Sequence, residues 1–293
     1  MPVLQRVSVS VKNILVATDF SAVSDKAAAY AKALALNFRS KVEIAHIYDP
    51  SVVTSCVEAI LGTPLNQREH HCDQGLQKLV QDFSEAGIEV ETTLRQDHRP
   101  HTALLSLAEE HETDLIVAGT HSKWGLERLV LGSTAEELIR NSTCPVLTVG
   151  PHAKLPPEGP LVFRTIVYAT DFSSQAAKAA IFALSFAQDS GAHIYLCHIA
   201  AESASQEEQV SLDARFKTAL NRMIPESVFE WCTPETVVRH GDPAPAILEL
   251  AEKVNADLIV LGARNASFWL TPIEHGLTPD LLAEASCPVM TVC

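Results

Sequence analysis

The feature that most limits how this chain can fold is an internal repeat. Residues 12–21 (KNILVATDFS) return as residues 164–173 (RTIVYATDFS), with six of the ten positions identical. Further segments return in the same order: 113–119 (TDLIVAG) as 256–262 (ADLIVLG), and 144–149 (CPVLTV) as 287–292 (CPVMTV). Because self-similarity of this kind indicates duplicated structural units, the sequence predicts two similar domains in tandem. Their predicted bounds are 1–150 and 161–293, and the Pro- and Gly-rich residues 151–160 suit an exposed linker.

Each half alternates between short apolar runs with strand character and alanine-rich or amphipathic helical stretches. The predicted strands are NILVAT, KVEIAHIY, GIEVETTL, DLIVAG and PVLTV in the first half, and TIVYAT, HIYLCHIA, TPETVVRH, DLIVLG and PVMTV in the second. Ser21 and Ser173 stand where each first helix would begin, as N-caps. Near-continuous apolar strands separated by helices indicate a parallel sheet covered on both faces. The predicted fold class is therefore α/β, with two tandem doubly wound five-stranded parallel-sheet (Rossmann-like) domains.

Composition and charge exclude several classes of protein. Apolar residues make up 47% of the chain and charged residues 20%, which is typical of a globular protein. The longest apolar runs are too short to cross a bilayer, and the N-terminus lacks the apolar core of a signal peptide. A formal net charge of −14 repels phosphate backbones, so direct binding to nucleic acid is disfavoured. We therefore expect a cytoplasmic protein with neither a nucleic acid nor a membrane as its partner.

The histidines and cysteines do not predict a metal site. The seven cysteines are an odd number and include no CxxC pair, which argues against a disulfide framework and a thiolate zinc site. His70, His71 and Cys72 are adjacent, and adjacent residues of a helix point in different directions. His46 and His198, each at the end of a second strand, are predicted to be partly buried structural residues.

Polar residues and glycines fall where this fold binds ligands. In open parallel sheets, ligands bind at the carboxyl ends of the strands, near the point where strand order reverses. Asp19 and Asp171 follow the predicted first strands, while Gly119 and Gly262 end the fourth. All four positions are therefore candidate ligand contacts.

The stretch GTHSKWGLERLVLGST (residues 119–134) has the composition of a phosphate-binding loop. Its glycines let the backbone approach a ligand closely. The first N–H groups of the helix after Gly132 offer donors and the positive end of a helix dipole. The hydroxyl groups of Ser133 and Thr134 would add donors. The alternative is that these glycines only shape a turn.

These segments together resemble the universal stress protein family, over nearly all of both halves. The resemblance rests on ATDFS after the first strand, DLIVAGTHS at the fourth, LVLGST before a helix and CPVLTV at the end. ATP-binding members carry a G-x2-G-x9-G-S/T loop, in which Gly119, Gly132 and Ser133 are in register while Ser122 replaces the second glycine. The resemblance implies ATP as the ligand, with or without Mg²⁺. It also implies that Asp19 accepts a hydrogen bond from adenine and that the backbone of Ile47 completes the base contact.

The second domain departs from this pattern. Asp171, Ile199 and Gly262 keep their places, and they are weaker candidates for the same contacts. Asn265 and His275 stand at the other two glycine positions of the loop. Together with bulky, acidic and proline residues nearby, they predict that ATP binds mainly to the first domain.

The resemblance implies a regulator or sensor in stress response rather than an enzyme, and no catalytic residue is expected, although slow hydrolysis of ATP stays open. The last strands pair in dimers of single-domain relatives, which implies that PVLTV and PVMTV pair within this chain and leaves a homodimer open. An alternative function, an interaction scaffold of the same fold that binds no nucleotide, is favoured by Ser122 and by the eroded second loop.

Overall fold

A computed structural model describes residues 9–49, 65–120, 132–202, 205–262 and 277–293, which form two compact units. The first domain comprises Ser10–Pro151 together with Leu155–Leu161. The second domain comprises Val162–Cys293 together with His152–Lys154 and Val9. The segment predicted as a linker is mixed in exposure, since Ala153 is buried whereas Leu155 is 66% exposed.

The first domain alternates strands and helices along its whole length. In chain order its elements are β1 (Asn13–Ala17), α1 (Ala22–Phe38), β2 (Lys41–Tyr48), α2 (Leu65–Glu85), β3 (Val90–Gln96), α3 (Pro100–Glu110), β4 (Leu115–Gly119), α4 (Ser133–Asn141) and β5 (Val146–Val149). Its strands pair in the order β3-β2-β1-β4-β5, and every pair is parallel.

The second domain repeats this arrangement. Its elements are β6 (Thr165–Ala169), α5 (Ser174–Ser190), β7 (His193–Ala200), α6 (Gln206–Arg222), a 3-10 turn (Glu226–Glu230), β8 (Thr233–His240), α7 (Pro243–Lys253), β9 (Leu258–Gly262), α8 (Leu277–Glu284) and β10 (Val289–Val292). The strand order is β8-β7-β6-β9-β10, again with parallel pairs. The predicted fold class, two α/β domains with five-stranded parallel sheets, is confirmed.

The strand order determines where a ligand can sit. The chain runs from β1 outward through β2 to β3 and then returns to β4 on the other side of β1. The topological switch point is therefore between β1 and β4, whose central residues are almost fully buried. In the second domain the corresponding point is between β6 and β9. Ligands of this fold bind outside the carboxyl ends of the strands at such a point.

The first helix of each domain is capped as predicted and packs closely on the fourth strand. The hydroxyl of Ser21 accepts a hydrogen bond from Ser24 N at 3.2 Å, and that of Ser173 accepts one from Ala176 N at 3.2 Å. A Cβ atom on Gly119 would lie 3.1 Å from Ser24 N. A Cβ atom on Gly262 would overlap the backbone of α5 at Ala176. The glycine that ends each fourth strand therefore lets the first turn of a helix rest on the strand.

Within the described ranges, no helix combines the length and the apolar character needed to span a bilayer.

The two glycines differ in how much room their neighbours leave. We expect Gly262→Ala to lower the free energy of unfolding by about 1–3 kcal/mol, because the added methyl group overlaps backbone that cannot rotate away. Gly119→Ala, whose methyl group meets backbone at 3.1 Å, serves as the matched variant and should lose less. Urea denaturation followed by circular dichroism measures both. Equal losses, or none in Gly262→Ala, would contradict the packing role.

Candidate functional site

The turn after β1 places Asp19 at the carboxyl edge of the first sheet. Phe20 has a φ of 58°, in the left-handed region that non-glycine residues seldom adopt. The Phe20 N–H donates to Thr18 Oγ1 at 3.1 Å, and the Ser21 N–H donates to Asp19 Oδ1 at 3.0 Å. These local bonds form an Asx-type turn that holds the partly exposed Asp19 beside the start of α1.

A histidine from the neighbouring strand braces this turn. His46 Nδ1 lies 2.7 Å from the carbonyl oxygen of Thr18, and since a carbonyl only accepts, Nδ1 carries the hydrogen and donates it. The His46 ring also lies 4.7 Å from the ring of Phe20, at an interplanar angle of 46°. On the α2 side, a Cβ atom on Gly75 would come within 2.7 Å of Phe20 Cδ1, so the Phe20 ring lies directly against that helix. Ile47 follows His46 on β2 and is partly exposed.

Gly119 has a structural reason to be glycine that the sequence did not reveal. The sequence hypothesis was that this glycine allows close approach of a ligand. The structure places it against the first turn of α1, where Val23 C and Ser24 N each lie 3.1 Å from the position of a Cβ atom. Gly119 thus holds α1, and with it the turn that carries Asp19, against the switch point.

The helix that follows β4 exposes backbone donors at its N-terminus. Gly132 is the N-cap of α4, with extended backbone angles and no side-chain cap. The first bond of the helix runs from Glu136 N to Gly132 O at 3.0 Å, so the N–H groups of Ser133, Thr134 and Ala135 precede it. Ser133 is exposed and Thr134 is partly exposed. This end of α4 therefore has the donors that bind anions at helix N-termini.

The two ends of the intervening segment are held together. Gly132 N donates to Thr120 O at 2.7 Å, and Thr120 N donates to Val149 O at 3.1 Å. Thr120 is fully buried directly after β4. The start of α4 is therefore tied to the carboxyl end of β4, beside the end of β1. Ser122 lies in the interval 121–131, outside the described residues.

The second domain reproduces the turn around its own aspartate. Phe172 has a φ of 60°, its N–H donates to Thr170 Oγ1 at 3.0 Å, and Ser173 N donates to Asp171 Oδ1 at 2.9 Å. His198 Nδ1 donates to Thr170 O at 2.8 Å, and its ring lies 4.7 Å from that of Phe172. The backbone geometry that presents the aspartate is thus common to both domains.

The helix that covers this turn differs between the domains. In the first domain α2 offers Gly75, and Phe20 lies against its backbone. In the second domain Phe216 of α6 stacks on Phe172 with ring centroids 6.1 Å apart and lies 4.3 Å from the ring of His198. A second phenyl ring therefore stands between the turn and the helix there. Asp171 is exposed, Ile199 is partly exposed, and Gly262 packs on α5.

Sequence reasoning missed the residues that support Asp19 and Asp171. It predicted His46 and His198 as partly buried structural residues, and the structure shows both partly buried and hydrogen-bonded. It did not predict that each histidine supports the aspartate turn together with the threonine and the phenylalanine on either side of the aspartate. The available signal was the repeat itself, because ATDFS and a later histidine recur at the same spacing in both halves.

The described residues include no group of three or more His, Cys, Asp or Glu side chains arranged to hold a metal ion. Burial raises the pKa of Cys197 and of Cys287 to about 12. Both are therefore neutral thiols at physiological pH and not reactive thiolates.

A separate cavity of about 220 Å³ opens at the amino-terminal edge of the first sheet. Glu43, Glu89 and Glu91 line it. Glu43 is buried and bound by Thr93 Oγ1 at 2.7 Å and His111 Nδ1 at 2.6 Å. The three carboxylates outnumber the one lysine that also lines the cavity, Lys41, which is paired with Glu89, so the cavity is unfavourable for phosphate groups. It lies at the edge opposite Asp19 and Gly132.

Comparison with known proteins gives matches over both domains. The profile of the Universal stress protein family matches residues 10–150 and 163–292. A universal stress protein of Methanocaldococcus jannaschii is 33% identical over 146 residues, which cover 47% of this chain and 81% of that protein. A crystal structure of a universal stress protein from Archaeoglobus fulgidus covers 98% of this chain and 97% of its own, with a TM-score of 0.70 and 19% identity. Another structure, of a universal stress protein from Archaeoglobus fulgidus in complex with dAMP, covers 45% of this chain and all of its own, with a TM-score of 0.36 and 20% identity.

The threonine before each aspartate should be needed for the stability of the turn. Thr18 is 6% exposed, and Thr18→Val removes the oxygen that accepts the Phe20 N–H while keeping the side-chain shape. We expect a loss of about 1–3 kcal/mol in the free energy of unfolding, because the variant loses two hydrogen bonds: the one from the partly buried Phe20 N–H and the one from the hydroxyl to Ser24 Oγ at 3.2 Å. Thr170→Val should also lower stability, since Thr170 accepts the same bond from the Phe172 N–H in the second domain.

The control for this experiment is Thr218→Val. Thr218 is exposed on α6, so its replacement should change stability by less than about 0.5 kcal/mol. Denaturation midpoints of Thr18→Val and Thr218→Val that coincide in urea would show that the turn does not depend on this hydroxyl.

Proposed function

Because the chain belongs to the universal stress protein family, we propose that its first domain binds ATP at the carboxyl edge of its sheet. The observation that carries the proposal is the placement of two complementary groups on neighbouring strands. Asp19 follows β1, and the N-terminus of α4 is tied to the end of β4, which pairs with β1. A carboxylate accepts hydrogen bonds and a helix N-terminus donates them, which are the complements of an adenine amino group and of phosphates.

The residues of the proposed site divide by the part of the ligand that each would contact. Asp19 would accept a hydrogen bond from the adenine amino group, and the backbone of Ile47 would complete the base contact. Phosphate groups would lie against the backbone and hydroxyl groups of the loop and of the start of α4, contributed by Gly119, Ser122, Gly132, Ser133 and Thr134. Guanine has a carbonyl where adenine has its amino group, so Asp19 would favour ATP over GTP.

Electrostatics make the helix N-terminus important for this proposal. The chain carries a formal net charge of −14, which opposes the approach of a triphosphate. A helix N-terminus carries the equivalent of about half a positive charge, and its amide donors do not titrate. Mg²⁺ bound to the phosphates would reduce the remaining repulsion.

The second domain is the weaker candidate for the same ligand. It keeps Asp171, Ile199 and Gly262, but its helix α8 has Pro279 as its third residue. Proline has no N–H group, so α8 has one donor fewer at its N-terminus than α4. Asn265 and His275, which replace loop glycines, lie outside the described residues. We propose that ATP binds to the first domain in preference to the second.

We further propose that the chain is a nucleotide-dependent regulator or sensor in the stress response of the cytoplasm, and not a dedicated catalyst. Amide donors and a carboxylate acceptor are suited to binding a nucleotide. Transfer of its γ-phosphate requires in addition a group that orients or activates the attacking nucleophile. Slow hydrolysis is compatible with this role.

Calorimetric titration of the nucleotide-free chain with ATP and Mg²⁺ tests the proposal. We expect about one site per chain. Asp19→Ala should weaken binding by roughly ten- to a hundredfold, because a hydrogen bond to a charged group contributes about 1.5–3 kcal/mol. Gly132→Glu should abolish binding by placing a carboxylate at the phosphates.

The matched control is Asp171→Ala, which removes the same turn bond in the second domain and should leave the affinity unchanged. Absence of both binding heat and thermal stabilisation at millimolar ATP would contradict the proposal. The scaffold function would then be favoured, and Gly119 would have its packing role alone.

A further inference from the structure

His46 contacts the residues on both sides of Asp19. Its Nδ1 donates to the carbonyl oxygen of Thr18 at 2.7 Å, and its ring lies 4.7 Å from that of Phe20. The Thr18 carbonyl belongs to the peptide group that joins Thr18 to Asp19, so this hydrogen bond fixes the plane of that peptide. The ring contact restrains the residue that follows. Together the two contacts hold Asp19 from outside its own turn.

The turn requires such support because its conformation is unfavourable in isolation. A left-handed φ of 58° at Phe20 places a bulky side chain in a region that disfavours it. Rotation of the peptide that joins Asp19 to Phe20 would relieve this strain, and it would turn the carboxylate away from the edge of the sheet. His46 is on β2, which pairs with β1 residue by residue, so its position is fixed by the sheet.

We propose that His46 is a positioning residue of the nucleotide site. It orients the Asp19 carboxylate toward the base and does not itself contact the base. The inference rests on the proposed binding of ATP to the first domain. His46 is next to Ile47, whose backbone would contact the same base. One segment of β2 would therefore contact the base through Ile47 and orient Asp19, the other residue that contacts the base, through His46. The hydrogen bond and the ring contact make separable contributions to this role.

The second domain supplies an internal control for the purely structural part of this role. His198 makes the same two contacts, to Thr170 O at 2.8 Å and to the Phe172 ring at 4.7 Å. Loss of these contacts should therefore destabilise each domain by a similar amount. A change in ATP affinity should follow only from the substitution in the first domain.

The test combines His46 substitutions with Asp19→Ala in a double-mutant cycle, read by ATP affinity. His46→Phe keeps a ring beside Phe20 and removes the donor to Thr18, and we expect it to weaken ATP binding by about tenfold. His46→Asn keeps an N–H donor near the position of Nδ1, so it should lose less affinity. In the Asp19→Ala background, His46→Phe should cause no further loss, because its effect passes through the missing carboxylate.

Two further measurements separate positioning from folding. Thermal unfolding of His46→Phe and His198→Phe should show similar losses of stability, while ATP affinity of His198→Phe should equal that of the unmodified chain. The ratio of ATP to GTP affinity should fall in His46→Phe, because the base contact rather than the phosphate contact is disturbed. If His46→Phe does not fold, the same cycle with His46→Asn gives the coupling to Asp19.

The outcomes distinguish this inference from the function on which it rests. Absence of ATP binding by the unmodified chain would overturn the proposed function and the role of His46 with it. Binding by the unmodified chain, with equal losses from the His46 substitution in the presence and absence of the Asp19 carboxylate, would overturn the positioning role alone. An unchanged ATP affinity in a folded His46→Phe chain would do the same.

Discussion

The left-handed conformation of Phe20 is the constraint on which the carboxyl edge of the first domain depends. It turns the chain from β1 into α1 within a few residues and leaves Asp19 at the edge of the sheet. Such a conformation costs on the order of 1–3 kcal/mol, so it persists only where the surroundings hold it. Thr18 Oγ1 and the carboxylate of Asp19 hold it locally, and His46 holds it from the next strand. Gly119 completes the arrangement by letting the first turn of α1 rest on β4.

Because the chain contains two copies of the domain, the two copies can be compared with each other. Both domains keep the turn, the bracing histidine and the glycine under the helix, so these features belong to the fold whether or not a ligand is bound. What differs is what surrounds the turn. Gly75 lies against Phe20 in one domain, whereas Phe216 fills the corresponding place in the other. The helix after the fourth strand begins with Ser133 in one domain and includes Pro279 near its start in the other. The same backbone turn is therefore surrounded by different residues at the carboxyl edges of the two sheets.

The sequence predicted the parts of the fold that depend on periodicity and repetition. The predicted second strands KVEIAHIY and HIYLCHIA coincide with β2 and β7, and Ser21 and Ser173 are the helix caps. The third strand was predicted too early, since GIEVETTL starts at Gly87 whereas β3 begins at Val90. Gly87 has a φ of 78° and belongs to the turn before the strand.

The supporting contacts of the site could not be predicted in the same way. A left-handed residue is normally signalled by glycine or asparagine, and here it is phenylalanine, whose strain is offset by tertiary contacts. The partner of Thr18 is His46 on another strand, and no local pattern links them. Gly119 was predicted as a ligand contact, and the structure shows it against the first turn of α1. One sequence does not distinguish a glycine that leaves room for a ligand from a glycine that leaves room for a helix.

The most direct test of this account is a crystal structure of the chain grown with ATP and Mg²⁺. We expect adenine beside the Asp19 carboxylate and the Ile47 backbone, with phosphate oxygens at the N–H groups that begin α4 and Phe20 still left-handed. Nucleotide bound in the second domain instead, or bound in the first domain away from Asp19 and α4, would contradict it.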